Sequence, residues 1–174
     1  MTEPAAAPRV SERTEAEPVT IEAETADRTR KAGRWLGERL KRGDLVILSG
    51  ELGAGKTTFT QGLAEGLGVR GPITSPTFVI ARVHPSVVGG PPLVHVDAYR
   101  LGSLAELDDL DLDASVEESV TVVEWGEGKA EVLAGDRIEV RIERALADDA
   151  EADAGADADP RTITIAVHGA PRTL

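Results

Sequence analysis

The sequence contains no cysteine, and this absence removes several kinds of chemistry at once. Such a chain forms no disulfide, has no thiolate nucleophile and offers no cysteine ligand to a metal. It also contains no asparagine, so the Asn-Lys-x-Asp motif with which GTPases read guanine is missing. The composition is compatible with a reducing compartment and argues against guanine recognition of that kind.

Basic residues are few beside acidic ones, with 19 lysines and arginines against 31 aspartates and glutamates, a net charge of -12. This balance argues against an extended basic surface that grips a nucleic-acid backbone, so a role in RNA chemistry would run through a protein partner. Long apolar runs are lacking too, and the N-terminus shows no basic segment followed by an apolar one. We expect a soluble, cytoplasmic protein that does not enter a membrane.

The chain length and two low-complexity stretches predict one domain with appended segments. At 174 residues the chain suits a single core. Residues 1–18 are rich in alanine, glutamate and proline, and we expect a disordered arm there, before a single domain at 19–174. Residues 147–160 are acidic and have little to bury, so they are predicted to form a flexible loop. Docking of a partner by this loop is the less favoured interpretation, because charge runs usually have no specific target.

Residues 50–57 read Gly-Glu-Leu-Gly-Ala-Gly-Lys-Thr, a complete G-x-x-x-x-G-K-[ST] phosphate-binding motif. The run Leu45–Leu48 before it suits a buried strand, and Thr58–Leu67 after it has the apolar spacing of a helix. In such a motif backbone N–H groups and the positive helix end face phosphate oxygens, Lys56 reaches the β- and γ-phosphates, and Thr57 offers its hydroxyl to Mg²⁺. A glycine-rich turn without chemical meaning is disfavoured, because both flanks are of the required kind.

Asp97 and Glu124 each follow a short apolar run that suits a strand, Leu93–Val96 and Val120–Val123. Open α/β sheets place their ligand crevices at the carboxyl ends of such strands. A magnesium–phosphate site needs an acid that holds the metal or its water shell, and hydrolysis needs a group that orients the attacking water. Asp97 suits the first task and Glu124 suits either. The alternative is that both are ordinary acids at strand ends.

The remaining pattern predicts further elements around these motifs. Thr25 is a candidate N-cap for a helix that closes at Gly43. The apolar face of that helix consists of Ala32, Trp35, Leu36 and Leu40. Capping-box patterns at Ser103 with Glu106 and at Ser115 with Glu118 predict short helices. Additional strands are predicted at Val19–Ile21, Phe78–Val83 as hairpin partner of Leu93–Val96, Ile138–Ile142 and Ile163–Val167.

Three further side chains could serve either a site or only the fold. His95 lies between two valines and could fill a polar slot on one sheet face, which we favour over a catalytic base. Arg100 could pair with phosphate charge or make a local salt bridge. Trp125, just past a strand end, could stack on a nucleotide ring or pack in the core.

Four ordered motifs between residues 25 and 127 resemble TsaE, a family of small bacterial ATPases of tRNA threonylcarbamoyladenosine synthesis. Residues 1–18 and 147–160 carry no such resemblance, and the phosphate-binding motif alone does not specify this family. The motifs are Gly50-Glu51-Leu52-Gly53-Ala54-Gly55-Lys56-Thr57-Thr58, Ser75-Pro76-Thr77-Phe78, His95-Val96-Asp97-Ala98-Tyr99-Arg100-Leu101 and Val123-Glu124-Trp125.

The resemblance implies an α/β protein with a three-layer P-loop NTPase-like fold, a mostly parallel central sheet and C-terminal antiparallel strands. It implies ATP as substrate, Mg²⁺ as cofactor and hydrolysis to ADP and phosphate, together with the TsaD and TsaB proteins and with tRNA only indirectly. Residues 75–78 and 97–100 would act as nucleotide-sensitive switches. The implied catalytic residues are Lys56, Asp97 and Glu124, the metal-binding residues are Thr57, Asp97 and Glu124, and the nucleotide-binding residues are Thr25, Gly53, Ala54, Gly55, Lys56, Thr57, Thr58 and Trp125.

Two features depart from the family's usual pattern. Glu51 stands where aspartate is usual, at a position whose side chain points away from the phosphates. The acidic stretch 147–160 lengthens a C-terminal hairpin and leaves the chemistry untouched.

Two other functions use the same loop. A small-molecule kinase would need an acceptor pocket and usually a lid with several arginines, whereas the segment between Asp97 and Glu124 has one basic residue, Arg100. A nucleotide-dependent assembly switch that does not hydrolyse ATP looks the same in sequence.

Overall fold

A computed structural model describes residues 17–51, 53–73, 81–97, 117–125, 136–144, 159–169 and 174. These residues form seven strands and two helices. The elements are β1 Val19–Ala23, α1 Ala26–Gly37, β2 Leu45–Gly50, α2 Lys56–Leu67, β3 Ala81–His84, β4 Leu93–Asp97, β5 Val120–Trp125, β6 Arg137–Arg144 and β7 Arg161–His168.

The strands form one sheet in the order β1-β7-β6-β2-β5-β4-β3. The central strands β6, β2, β5 and β4 run parallel, whereas β3 at one edge and β7 and β1 at the other pair antiparallel. The α/β class is therefore confirmed, with the parallel pairing confined to the centre. The predicted hairpin of β3 with β4 and the antiparallel C-terminal pair β6–β7 are both present.

Both faces of the central strands are buried. On one face, alternate residues of the sheet pack with both helices in a single core cluster, which includes Val46, Leu48, Val122, Val140, Leu36, Phe59 and Leu63. The intervening residues point to the opposite face and are also at most 2% exposed, namely Ile47, Val94, Val96 and Val123. Burial on both faces is what a parallel sheet inside a layered α/β protein requires.

The helices α1 and α2 approach each other through glycines. Gly33 and Gly37 on α1 face α2, and Gly62 and Gly66 on α2 face α1. A Cβ atom at any of the four would fall between 1.8 and 2.3 Å from a carbonyl oxygen of the other helix. The two backbones are thus in direct contact, which fixes the position of α2 and of the loop that leads into it.

Helix α1 ends earlier than the sequence predicts. Its last residue is Gly37 and its C-cap is Glu38, whereas Gly43 was the predicted end. The N–H of Arg39 donates to the carbonyl of Leu36 over 2.9 Å, and this three-residue spacing tightens the chain into a turn.

Three other local predictions need correction. Trp35 is only partly buried at the edge of the core, with the guanidinium carbon of Arg39 lying 4.2 Å from its ring centroid. Helix α2 begins at Lys56, directly after the left-handed Gly55, and so extends two residues before the run Thr58–Leu67 whose spacing predicted it. Residues 117–119 form a turn and a bend instead of continuing the short helix predicted from the capping box at 115–118.

The strands run past most of their predicted ends because pairing continues there. Every residue of β6 from Arg137 to Arg144 pairs with a residue of β7. The predictions for residues 1–16, 74–80, 98–116 and 147–158 lie outside the described residues. Across the described ranges, neither helix has the length and apolar character needed to cross a membrane.

Candidate nucleotide-binding site

The phosphate-binding motif forms the connection between β2 and α2. Gly53 and Gly55 have φ angles of 76° and 102°, in the left-handed region that side chains other than glycine rarely adopt. The N–H of Ala54 donates to the carbonyl of Glu51 over 3.0 Å and closes the loop. At its start, a Cβ on Gly50 would lie 2.7 Å from the carbonyl oxygen of Ile142, so the loop begins tightly against β6.

The N-terminus of α2 carries no side-chain cap. Its N-cap is Gly55, which has no side chain to accept a hydrogen bond, and its first turn contains no acidic residue. Helix α1 is different, because the hydroxyl of Thr25 accepts a hydrogen bond from the N–H of Arg28 over 3.2 Å and Asp27 lies in the first turn. The N–H groups and positive dipole end of α2 are therefore left for an anionic ligand.

Lys56 is the first residue of α2 and reaches back across the loop. Its ammonium donates to the carbonyl of Gly50 over 3.0 Å, and the side chain is partly buried. Thr57 and Thr58 follow in the first helical turn and are also partly buried. The motif thus brings a cation, a hydroxyl and the helix N-terminus to one end of β2.

Asp97 and Glu124 lie side by side at the same edge of the sheet. They are the Cα partners in the parallel pairing of β4 with β5, and Glu124 is in turn the partner of Leu48 in β2. The alternation of side chains puts Glu124 on the sheet face that packs against α1 and α2. The two acids that the sequence singled out are therefore neighbours. The strand next to Glu124 is β2, which leads directly into the phosphate loop.

His95 is a further residue of this cluster, and its partner was not foreseen from the sequence. It is fully buried, and its Nε2 lies 3.0 Å from Oε1 of Glu124. His95 does occupy a polar position on one sheet face, as the sequence predicted, and its partner there is the candidate site residue Glu124. The available signal was the position of His95 in the same short apolar run that leads to Asp97.

The sequence model of the family described as "Threonylcarbamoyl adenosine biosynthesis protein TsaE" matches residues 23–152. That range contains the loop, both helices and both acids. The chain belongs to the TsaE family. The resemblance drawn from the four motifs is therefore confirmed.

Individual TsaE relatives and one solved structure are similar over most of the chain. A protein of Streptomyces coelicolor named "tRNA threonylcarbamoyladenosine biosynthesis protein TsaE" is 68% identical over 123 residues, 70% of this chain and 83% of the relative. The protein of that name from Bacillus subtilis is 44% identical over 112 residues, 64% of this chain and 68% of the relative. The crystal structure of YdiB from Bacillus subtilis superposes with a TM-score of 0.63 at 32% identity, covering 88% of this chain and 87% of that one.

Two arginines touch the loop from outside, and sequence reasoning missed both. Nη2 of Arg144 donates to the carbonyl of Gly53 over 2.9 Å, and Nε of Arg161 donates to the carbonyl of Ala54 over 2.8 Å. Arg161 lies beyond the residues that the TsaE family model matches. No local pattern marks either arginine, because the pairing of β6 with β2 brings Arg144 to the loop, and the pairing of β7 with β6 brings Arg161 there.

Thr25, Trp125 and Arg100 are the remaining candidate residues from the sequence. Thr25 caps α1, so its hydroxyl already has a donor. Trp125 is the last residue of β5 and the Cα partner of Ser49. Arg100 lies outside the described residues. Within the described part of the chain, no group of three or more histidine, aspartate or glutamate side chains is arranged to hold a metal ion by itself.

Proposed function

We propose that this protein binds ATP with Mg²⁺ and hydrolyses it to ADP and phosphate in the biosynthesis of threonylcarbamoyladenosine in tRNA. The observation that carries the proposal is the uncapped N-terminus of α2 inside a complete phosphate-binding motif, with Lys56 at its first position. An anion there gains N–H donors that have no partner in the helix, a favourable dipole and a neighbouring ammonium. Membership of the TsaE family supports the tRNA-modification role.

The residues fit a magnesium–triphosphate group. The backbone of Gly53 to Thr58 would surround the phosphates, and Lys56 would neutralise charge on the β- and γ-phosphates. Thr57, Asp97 and Glu124 would supply oxygen ligands, the kind that Mg²⁺ prefers, at one edge of the sheet. Bound with ATP, Mg²⁺ supplies charge neutralisation on the transferred phosphoryl group.

Glu124 is suited to orient the attacking water, because its carboxylate is held and not free to rotate. His95 Nε2 fixes one carboxylate oxygen, and only 13% of the Glu124 side chain is exposed. A carboxylate restrained in this way can accept a hydrogen bond from water in one defined direction. Asp97 on the adjacent strand would hold the metal or its water shell, and adenine would contact Trp125.

We further propose that hydrolysis serves the TsaD and TsaB proteins, so that the chain meets tRNA only through them. The net charge of -12 supports an indirect contact, because an acidic protein does not attract a phosphate backbone. The cytoplasm is the proposed location.

The proposed function is tested by phosphate release from ATP, measured for the isolated protein and after addition of TsaB and TsaD. We expect slow release alone, stimulation by the partners, and a loss of about 100-fold or more in Lys56→Ala, because the γ-phosphate charge is then unstabilised. Lys41→Ala is the matched control, since Lys41 is an exposed lysine at the other end of β2. Equal loss in both variants would point to unfolding.

Three outcomes separate the competing functions. Glu124→Ala that still binds ATP but no longer releases phosphate supports hydrolysis, whereas wild-type protein that binds ATP and never releases phosphate is an assembly switch. Turnover that depends on an added small hydroxyl compound, with no response to the partners, indicates a kinase. The absence of ATP binding by the folded protein contradicts all three.

A further inference from the structure

Arg161, the first residue of β7, is buried, with 6% of its surface exposed. Its guanidinium makes five hydrogen bonds, as many as it has N–H groups. Two go to the carbonyls of Ala54 and Gly53, at 2.8 and 3.4 Å. Two go to the carboxylate of Asp159, at 2.6 and 3.1 Å, and one goes to the carbonyl of Pro160 at 3.1 Å. A buried guanidinium with every donor used cannot also bind a phosphate.

The contacts of Arg161 nevertheless determine the direction of the phosphate loop. It holds the Ala54 carbonyl toward the buried guanidinium at the start of β7. Because the peptide unit is planar and trans, the N–H of Gly55 in the same unit points the opposite way, away from Arg161. By fixing the Ala54 carbonyl, Arg161 thus also fixes the direction of the Gly55 N–H, one of the N–H groups with which such a motif binds an anion.

Arg161 is itself held in place. Its carboxylate partner Asp159 donates its own N–H to the carbonyl of Glu24 over 2.8 Å, just before α1. A chain of contacts therefore runs from the start of α1, through Asp159 and Arg161, to the carbonyls of Gly53 and Ala54. Lys56 takes no part in this chain of contacts.

We propose that Arg161, locked by Asp159, is the positioning residue of the phosphate loop: it sets nucleotide affinity by orienting the loop amides without touching the nucleotide. The inference rests on the proposed function, since it assigns a role toward the same bound ATP. It also makes a claim about the nucleotide-free protein, namely that the loop is restrained before any ligand arrives.

Arg161→Met tests both claims. Amide hydrogen exchange of the nucleotide-free protein is expected to rise in peptides that cover residues 50–58 and to stay unchanged in β2 and β5. Calorimetry with Mg²⁺ and ADP is expected to show affinity weakened roughly 10-fold or more, the scale of a lost hydrogen bond to a charged group. Arg161→Lys keeps the charge and one bond, so it should lie between Arg161→Met and wild type.

Arg141→Met is the matched control, because Arg141 is an exposed arginine of β6 whose guanidinium has a carboxylate of Glu143 at 3.9 Å. It should match wild type in both measurements. Asp159→Asn should share the effect of Arg161→Met in weaker form and covers the case in which Arg161→Met does not fold.

The outcomes distinguish this inference from the proposed function. Unchanged exchange and affinity in both Arg161→Met and Asp159→Asn, with wild type binding ADP normally, overturn the positioning role alone. Wild-type protein that binds neither ADP nor ATP overturns the proposed function, and the role toward the nucleotide falls with it. A uniform rise of exchange across the sheet would reduce Arg161 to a general contribution to stability and also overturn the proposal.

Discussion

The imidazole of His95 on β4 lies 3.0 Å from the carboxylate of Glu124 on the adjacent strand β5, and the histidine is fully buried. One face of this carboxylate is therefore anchored while 13% of the side chain stays exposed. Partners that orient a ligating or water-orienting side chain are part of the site, because a small rotation of the carboxylate displaces the group that it holds.

Replacement of His95 by leucine should lower ATP turnover about 10- to 100-fold, the range observed when such a supporting partner is lost. The affinity for Mg²⁺–ADP should change much less, because the phosphate loop is not altered. His95→Gln keeps a hydrogen-bonding group and should retain more turnover than His95→Leu. Steady-state phosphate release with calorimetry of ADP binding measures both. Equal turnover in wild type and His95→Leu would show that the anchor has no role.

Gly62 is the tightest contact of the two helices, since a Cβ there would lie 1.8 Å from the carbonyl oxygen of Arg30. A backbone atom cannot move away without separating α1 from α2. We expect Gly62→Ala to lower the free energy of unfolding by roughly 3 kcal/mol, the upper end for an overpacked core. Gly90→Ala is the control, because a Cβ atom at Gly90 would lie 3.6 Å from the hydroxyl oxygen of Ser86, an ordinary contact distance. Its effect should stay within about 0.5 kcal/mol in urea denaturation. Similar unfolding midpoints for both variants would contradict the backbone contact.

Much of the fold could be predicted because each strand is a local apolar run bounded by turn residues. The order of the strands could not, since the pairing of β2 with β6 joins segments far apart in the chain. The glycine pairs Gly33–Gly37 and Gly62–Gly66 are visible as a four-residue spacing, but their meaning depends on which helices pack together. Local patterns thus identify the elements, and tertiary contacts decide their partners.

The candidate site divides in the same way. Lys56 and Thr57 could be predicted because the whole phosphate motif is contiguous. The contact of His95 with Glu124 depends on the parallel register of β4 and β5, which no sequence of this kind specifies. The contact of Arg161 with the loop is harder still to predict from the sequence, because the two residues that it joins, Ala54 and Arg161, are 107 positions apart.

His84 makes the stability of the fold sensitive to acid. It is buried in β3, and burial lowers its pKa below the usual 6.5, with a further decrease from the nearby positive charges of His95 and Arg82. A hydrogen bond that its ring donates to the backbone of Arg70 opposes this decrease in pKa. The unfolded chain accepts a proton near pH 6.5, whereas the folded chain resists it until a lower pH. The free energy of unfolding should therefore fall as pH drops from about 6.5 toward the lower folded pKa.

Urea denaturation between pH 7.5 and pH 5 measures this dependence. His84→Gln cannot take up the proton and should give a flatter curve over that interval. His168→Gln removes a titratable ring from the polar face of the sheet and should leave the fall in place. A parallel decline in wild type and His84→Gln would assign the acid sensitivity to other groups.

The strands on either side of the acidic stretch already meet, so we expect that this stretch can be removed without loss of the site. Arg144 and Arg161 are Cα partners at the end of the β6–β7 pair, so a short hairpin connection can join them. We consider a variant in which residues 147–158 are replaced by two glycines, which keeps Asp159 and Pro160. It loses five acidic residues, so its net charge changes from -12 to -12 + 5 = -7.

This deletion variant should bind Mg²⁺–ADP within about twofold of wild type and melt at the same temperature or higher, because removing like charges lowers the repulsion within an acidic protein. Its stimulation by TsaB and TsaD should also persist, since the stretch is predicted to be solvated and to have no specific target. Phosphate release with and without the partners decides this point. Normal ADP binding with a loss of partner stimulation would instead assign the acidic stretch to docking. Weakened ADP binding would mean that the stretch helps to position Asp159, which holds Arg161 and through it the phosphate loop.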